Sequence, residues 1–372
     1  MTDWNNIERT ILGRFEDGLR QTPQSPIFHA EGDAYIHTMM VCDTLKQLPE
    51  YKGLNERQQH ILNVAALLHD IGKIHTSRIV DGDWHTPHHA PTGSNMAREL
   101  LWKEYGLCGK QELTQIREAI CLLIRYHSFP PIAIDRTGPE LRLHRMAANS
   151  LLVPDFSIRM LCLLSKADML GRRCSDQQEA LERIALFEEL AKEERCYDAC
   201  YPFPSSHTRR AFLAERDVWK DQELHDDTWG EVILMSGLPG SGKDTWIQKN
   251  IPDLPMISLD IIRRANKIPP TAEQGKVANL AREQAKEYLR RHQPFVWNAT
   301  NITAQMRESL IGLFETYHAH VHIVYLETDW QTLLRRNHSR ENKVPQSVIE
   351  DMMGKMTLPE AFEARKVDWI SS

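Results

Sequence analysis

The sequence predicts a multidomain protein in which an all-α helical bundle is followed by an α/β domain with a parallel sheet. Three observations support this. A length of 372 residues exceeds what one hydrophobic core usually serves. Up to about Glu194 apolar residues recur at helical spacing with little β-branched alternation. Beyond about Gly230 short apolar runs alternate with helical patterns, the βαβα order of a sheet covered on both faces. The expected domains are residues 1–194 and 230–372, joined by a connector over 195–229.

Composition narrows the class. A net charge of −6 argues against a general nucleic-acid coat but permits local basic clusters such as Arg335, Arg336, Arg340 and Lys343. The seven cysteines are odd in number and show no CxxC pair. Cys121 and Cys162 fall inside apolar helical patterns, so a reducing compartment fits better than a disulfide framework. The start MTDWNNIERT is polar and no apolar run approaches a membrane span, so a cytoplasmic protein without a membrane partner is expected.

In the bundle, ionisable residues fall on apolar faces. His37 opens HTMMVCDTLKQL, and His69 and Asp70 follow Leu67 and Leu68 in AALLHDIGK. His89 in PHHAPTGSNMAREL precedes a helix start marked by Thr92 and Gly93, with His88 as its competitor. His127 ends IREAICLLIRYHSFP on the face of Ile120 and Leu123, and Asp168 lies on the stripe of Leu161 and Leu164. Buried imidazoles and carboxylates are costly unless paired or metal-bound, so their convergence from several helices points to a metal site. Lys73 and Arg172 stand one turn after Asp70 and Asp168 and are candidates to bind a substrate phosphate, against the plain reading of solvated helix-end cations.

The connector contains CYDACYPFPSSH, whose Pro202 and Pro204 predict an extended passage, and TRRAFLAERDVWKDQEL, which predicts a linking helix. Arg209 and Arg210 on it read better as a solvated face than as substrate contacts.

The second domain opens on strand-like EVILMS, then GLPGSGKDT from Gly237 to Thr245, then a helix. That is a phosphate-binding loop in its expected context. Glycines at 237, 240 and 242 let backbone N–H groups turn toward phosphate oxygens, and Lys243 reaches the β and γ phosphates. ATP or another nucleoside triphosphate with Mg²⁺ is therefore expected, held by Gly237, Gly240, Ser241, Gly242, Lys243, Asp244 and Thr245. Asp244 replaces the usual Ser or Thr metal ligand, which leaves its role open. PMISLD, PFVWNAT and HVHIVYLE predict further strands, and ligand sites in such sheets lie beyond the strand C-termini. Asp260 is expected to end the second strand with Arg263 one turn on, and Asn298 to Asn301 to end the third. Arg336 and Arg340 flank a break closed by Pro345 and suit a lid over a transferred phosphoryl group.

These motifs carry family resemblances. The pattern H…HD…D of His37, His69-Asp70 and Asp168 resembles the HD phosphohydrolase superfamily. The resemblance implies one or two divalent transition-metal ions in the HD domain, and if its two-metal members are the guide, Asp70 is a catalytic ligand that bridges the two. His37, His69 and Asp168 then complete one position, and His89 and His127 serve the other. GxPGSGKxT at 237–245, DxxR at Asp260 and Arg263, and RNxxRxxxVP from Arg336 to Pro345 resemble the polynucleotide 5′-kinase family. That likeness implies that Lys243 grips phosphate and that Asp260 is the general base. It further implies that Arg263 binds the acceptor phosphate and that Arg340, with Arg336, stabilises the transferred group. The two modules in this order resemble the bacterial HD-domain polynucleotide kinases, HD-Pnk. This implies that a 2′,3′-cyclic phosphate or 2′-phosphate is removed at one RNA or DNA end and a 5′-phosphate added at the other, for a downstream ligase. A homodimer is compatible with the sequence. The alternatives are an HD nucleotidase fused to a nucleoside or metabolite kinase, and a nonenzymatic nucleotide sensor.

Overall fold

The computed structural model describes residues 2–26, 28–269, 274–340 and 342–371. Met1 and Ser372, the limits of the expected domains, and Glu341 within the RNxxRxxxVP stretch lie outside the described residues. Contacts divide the chain into two compact units, Met1–Leu107 with Glu112–Tyr201, and Cys108–Gln111 with Pro202–Ser372. Among the described residues no helix is long and apolar enough to cross a membrane.

The first unit is helical. Helices Ala34–Gln47, Glu56–Leu68, His89–Lys103, Gln111–Tyr126 and Ile158–Leu170 frame its core. Local chemistry sets several of their starts. Asp33 accepts from the Ile36 N–H, Ser157 from that of Met160, and Asn55 and Gln58 form a reciprocal capping box. Val41, Leu45, Ile61, Leu62, Leu68, Ile120, Leu123, Leu161 and Leu164 are buried between the helices. Each such side chain contributes about 1.5–3 kcal/mol relative to exposure. The Glu56–Leu68 helix stops just before His69, and the chain then turns tightly, with the Lys73 N–H donating to the Asp70 carbonyl at 2.9 Å.

Two features depart from the expected bundle. Residues 78–85 form an antiparallel hairpin, β1 (Arg78–Val80) with β2 (Asp83–His85), turning through Asp81 and Gly82, both at positive φ. The next helix begins at His89 rather than after Thr92, with His88 left-handed before it. Gly93 is therefore a packing position instead of a start signal. A Cβ on Gly72 would lie 2.0 Å from the His89 carbonyl oxygen and 2.6 Å from the Gly93 nitrogen, so the HDIGK turn sits directly against this helix.

The second unit is a five-stranded sheet of β3 (Gly230–Ser236), β4 (Met256–Ser258), β5 (Phe295–Asn298), β6 (Ala319–Glu327) and β7 (Lys366–Ser371). The order is β4-β5-β3-β6-β7 and all pairings are parallel. Ile233, Met235, Val296, Val324 and Leu326 pack with Ile247 as a core. Since β3 is central and the chain leaves it for both sides, the loop after it lies where ligands bind in such sheets. The edge strand β7 is additional to the four expected. Asp260 does not end β4; it lies in the first turn of the Leu259–Ala265 helix, capped by Ser258. The connector helix is only Ser206–Leu213. Arg210 is bound to Glu315 at 2.8 and 3.0 Å, and Arg209 donates to the Arg365 carbonyl at 2.9 Å. Both bind the connector helix to other segments of the second unit, of which it is part, so neither the solvated face nor a substrate contact describes them.

Candidate active sites

In the first unit His37, His69, Asp70, His89, His127 and Asp168 converge. His37 Nε2 lies 2.9 Å from Asp168 Oδ1, 3.6 Å from Asp70 Oδ2 and 3.3 Å from His69 Nε2. His69 Nε2 is 3.2 Å from the same Asp70 oxygen. On the other side of Asp70, Oδ1 is 3.6 Å from His89 Nε2 and 3.9 Å from His127 Nε2, which are 3.4 Å apart. Two of the three ion-fitting groups among the described residues, His37-His69-Asp70 and Asp70-His89-His127, share the Asp70 carboxylate, and the third is His29-Glu31-His37. His88 is exposed and outside all three.

The donor set fits divalent ions. Nδ1 of His69, His89 and His127 lies 2.7, 2.9 and 2.7 Å from the carbonyls of Ala66, Thr86 and Ile124. A carbonyl only accepts, so each ring keeps its proton on Nδ1 and turns a bare Nε2 lone pair inward. Lone pairs facing each other and a carboxylate at these distances require a positive charge among them. Without an ion a proton takes that place. Burial opposes charge on His69, but the Asp70 carboxylate outweighs it and the pKa rises. Burial, with His69 and His89 nearby, instead pulls His127 down to about 3. Asp70 and Asp168 stay ionised against their burial, Asp70 through His69 and Lys73, Asp168 through Arg172 and His37.

Lys73 and Arg172 are ion-paired rather than free helix-end cations, Lys73 buried and Arg172 partly buried. Lys73 Nζ is buried, 2.7 Å from Asp70 Oδ2, and Arg172 holds Asp168 by two bonds of 3.1 and 2.7 Å. Both line a cavity of about 430 Å³ that also includes His89. Sequence reasoning missed Glu31, whose buried Oε1 lies 3.0 Å from His37 Nδ1 and 2.8 Å from His29 Nδ1, and whose Oε2 accepts from the Arg173 N–H. A histidine two residues before a glutamate in HAEGD, just upstream of His37, was the available signal.

In the second unit the phosphate loop is tightly enclosed. Gly237 and Gly240 have φ of 139 and 84, and Cβ atoms there would lie 2.4 Å from the Leu326 carbonyl oxygen and 2.7 Å from that of Leu333. Lys243 Nζ donates to the carbonyls of Gly237 and Leu238 at 2.8 and 3.0 Å, inside the loop where phosphates bind. Burial lowers its pKa to about 8, opposed by Asp244 and reinforced by Arg340. Ser241 is buried and Thr245 exposed. Asp244 Oδ1 accepts from Asn298 Nδ2 at 2.6 Å, tying the unusual loop carboxylate to the end of β5. Asp260 Oδ1 accepts from Arg263 at 2.8 Å, and its Oδ2 is 3.6 Å from Arg340 NH2. An Arg336 guanidinium nitrogen lies 3.4 Å from where a Gly242 Cβ would stand, so this side chain covers the loop. Asn301, at φ 42, donates to the Met235 carbonyl and is structural. Two supporting residues escaped the sequence reading. Asn337 bonds both the carbonyl and the N–H of Val344 and holds the arginine segment closed. Buried Arg307 clamps the Asn301 carbonyl and Glu363.

Comparison with known proteins agrees with this division. Residues 34–163 match the HD domain family and residues 232–359 an AAA domain family. The L-seryl-tRNA(Sec) kinase of Methanococcus maripaludis is 25% identical over 136 residues, covering 34% of this chain and 53% of that protein. Mouse heterogeneous nuclear ribonucleoprotein U-like protein 2 is 28% identical over 148 residues, 35% of this chain and 20% of its own. The chain thus spans about a fifth to half the length of these relatives. A crystal structure of a presumed kinase from Chloroflexus aurantiacus, 13% identical, covers 39% of this chain and 86% of its own at a TM-score of 0.33, too slight a likeness to bear on function. The fold and sites define a helical HD domain followed by an α/β P-loop domain of kinase type. In one chain they make a fusion of phosphohydrolase-type and kinase-type modules.

Proposed function

We propose that the chain heals broken nucleic-acid ends, the HD unit removing a 2′,3′-cyclic phosphate or 2′-phosphate and the P-loop unit phosphorylating a 5′-hydroxyl. The observation that carries this reading is the pairing of an ion-fitting cluster of His37, His69, Asp70, His89 and His127, Asp168 lying against His37, with a phosphate loop faced by an acid and two arginines. Strand scission that leaves a 2′,3′-cyclic phosphate on one side leaves a 5′-hydroxyl on the other, and the two units are suited to those two termini.

At the HD centre His37, His69, Asp70 and Asp168 would hold one divalent ion, and Asp70, His89 and His127 would hold a second. Divalent ions bound there supply Lewis acidity toward water and phosphate oxygens. Lys73 and Arg172 bring positive charge to the cavity wall and bind the ester phosphate. At the kinase centre the loop N–H groups and Lys243 would hold ATP, and Asp244 would offer a carboxylate to its Mg²⁺. Asp260 accepts the proton of the attacking hydroxyl, Arg263 orients the acceptor, and Arg340 with Arg336 neutralises charge spreading onto the transferred group. The likeness to L-seryl-tRNA(Sec) kinase favours a second reading, a hydroxyl acceptor other than a strand end.

The test uses an oligonucleotide carrying a 5′-hydroxyl and a 2′,3′-cyclic phosphate, with ATP and divalent ions. Asp70→Ala should lose only the 3′-side reaction and Lys243→Ala only the 5′-side one. Loss of both in either variant contradicts two independent sites, and transfer to free nucleosides in preference to the oligonucleotide supports a metabolite kinase.

A further inference from the structure

Gln24 is a buried residue of the HD unit, 7% exposed, that none of the roles above uses. Its Oε1 lies 2.6 Å from Lys73 Nζ. Because an ammonium only donates, the amide orientation is fixed, with oxygen toward Lys73 and nitrogen away. That nitrogen, Nε2, is buried and has no hydrogen-bond partner among the described residues, an expensive arrangement unless a ligand supplies an acceptor. Gln24 lines the 430 Å³ cavity with Lys73, Arg172 and His89, so an acceptor there lies beside the ion-fitting cluster. The cavity also has aromatic walls, Trp84 from β2 and half-exposed Phe28. The hairpin bearing Trp84 is fastened to the Gln24 segment, since Ser25 Oγ donates to Asp83 Oδ2 at 2.9 Å. The volume lies within the range of small-ligand pockets, roughly 300–1,000 Å³.

We propose that this cavity is a nucleoside-phosphate subsite, in which Gln24 donates its amide N–H to a phosphate oxygen beside Lys73 and Trp84 with Phe28 stacks the attached base. The proposal deepens the phosphoesterase reading of the same site and rests on it for the place of the phosphate. A lone phosphate uses the polar end only, whereas a nucleotide uses both ends. Base stacking on an aromatic side chain is sequence-tolerant, so the subsite selects for a nucleoside without selecting the base.

Calorimetry tests it on full-length protein stripped of metal by chelator, which prevents hydrolysis, in a Lys243→Ala background, which removes the phosphate loop from the titration. The probes are uridine 2′-monophosphate and inorganic phosphate. Gln24→Leu, which keeps bulk and loses the donor, should weaken both about tenfold. Trp84→Ala should weaken the nucleotide about tenfold and leave inorganic phosphate unchanged. Gln24→Asn, with a retained amide on a shorter arm, should lose less than Gln24→Leu. Equal affinity of the two probes in the parent, or equal loss of both in Trp84→Ala, overturns the subsite. A parallel assay of the parent with divalent ions separates the two claims. Hydrolysis of the nucleotide without the Trp84 dependence keeps the phosphoesterase and removes the subsite, whereas the binding pattern without hydrolysis does the reverse.

Discussion

Lys243 shows how burial prepares a single residue for its ligand. With its pKa at about 8, a growing fraction of the side chain is neutral above that pH, whereas phosphates favour the ammonium. Nucleotide binding at about pH 9 should therefore take up close to one proton. Affinity should fall as pH rises above 8, by up to about tenfold per unit until the pKa of the complex is reached. Calorimetry in buffers of different ionisation enthalpy measures the uptake, and none at alkaline pH would contradict this role. The residue was legible because its chemistry and context coincide in GLPGSGKDT. His69, Asp70 and Asp168 were legible because burial of such groups is anomalous in a helical stripe. Gln24, Glu31 and Asn337 were not, since a polar residue declares its importance only through what surrounds it in space.

At the scale of elements, the second half of the ion-fitting cluster depends on how two helices are joined. Arg98 on His89–Lys103 reaches across to Glu118 on Gln111–Tyr126 with bonds of 3.0 and 2.9 Å, and Arg117 adds one of 2.8 Å, all buried. Burial opposes the charge of Glu118, but Arg98 and Arg117 outweigh it and keep the carboxylate ionised. Glu118→Ala leaves two buried guanidinium groups without that counter-charge and should cost about 3–5 kcal/mol, read by denaturant unfolding. It should also loosen His89 from His127 and lower occupancy of that half, measured as ions bound per chain. Neither residue stood out in the sequence, because their pairing spans separate helices. The hairpin carried a signal that helical reading passed over, an Asp-Gly turn with Ile79 and Val80 before it and Trp84 after it. Strand β7 was missed because KVDWIS is a short edge segment whose partner, β6, is distant in sequence.

The whole molecule combines two candidate phosphate sites built on different physics. One places bare imidazole and carboxylate donors in a helical core, and the other places backbone N–H groups and a lysine at the end of a sheet. Ligands that bind only the folded state stabilise it by mass action, about 2.7 kcal/mol at a hundredfold excess over Kd. Divalent transition ions and ATP should therefore each raise the melting temperature through different residues. His69→Ala should abolish the ion response and keep the ATP response, and Lys243→Ala the opposite. Scanning calorimetry checks both, and an ATP response lost in His69→Ala would contradict the separation. The order of the modules was legible because each has its own periodicity, helical spacing in one and alternating short runs in the other.

Gly72 gives the HD centre a geometric constraint with a functional consequence. The turn bearing His69 and Asp70 meets the helix bearing His89 with no space for a methyl group between them. An alanine there should act as a wedge that spares the donors of the first ion and draws away those of the second. The expected product is a folded protein that binds one divalent ion per chain where the parent binds two, measured by metal analysis, with no ligand altered.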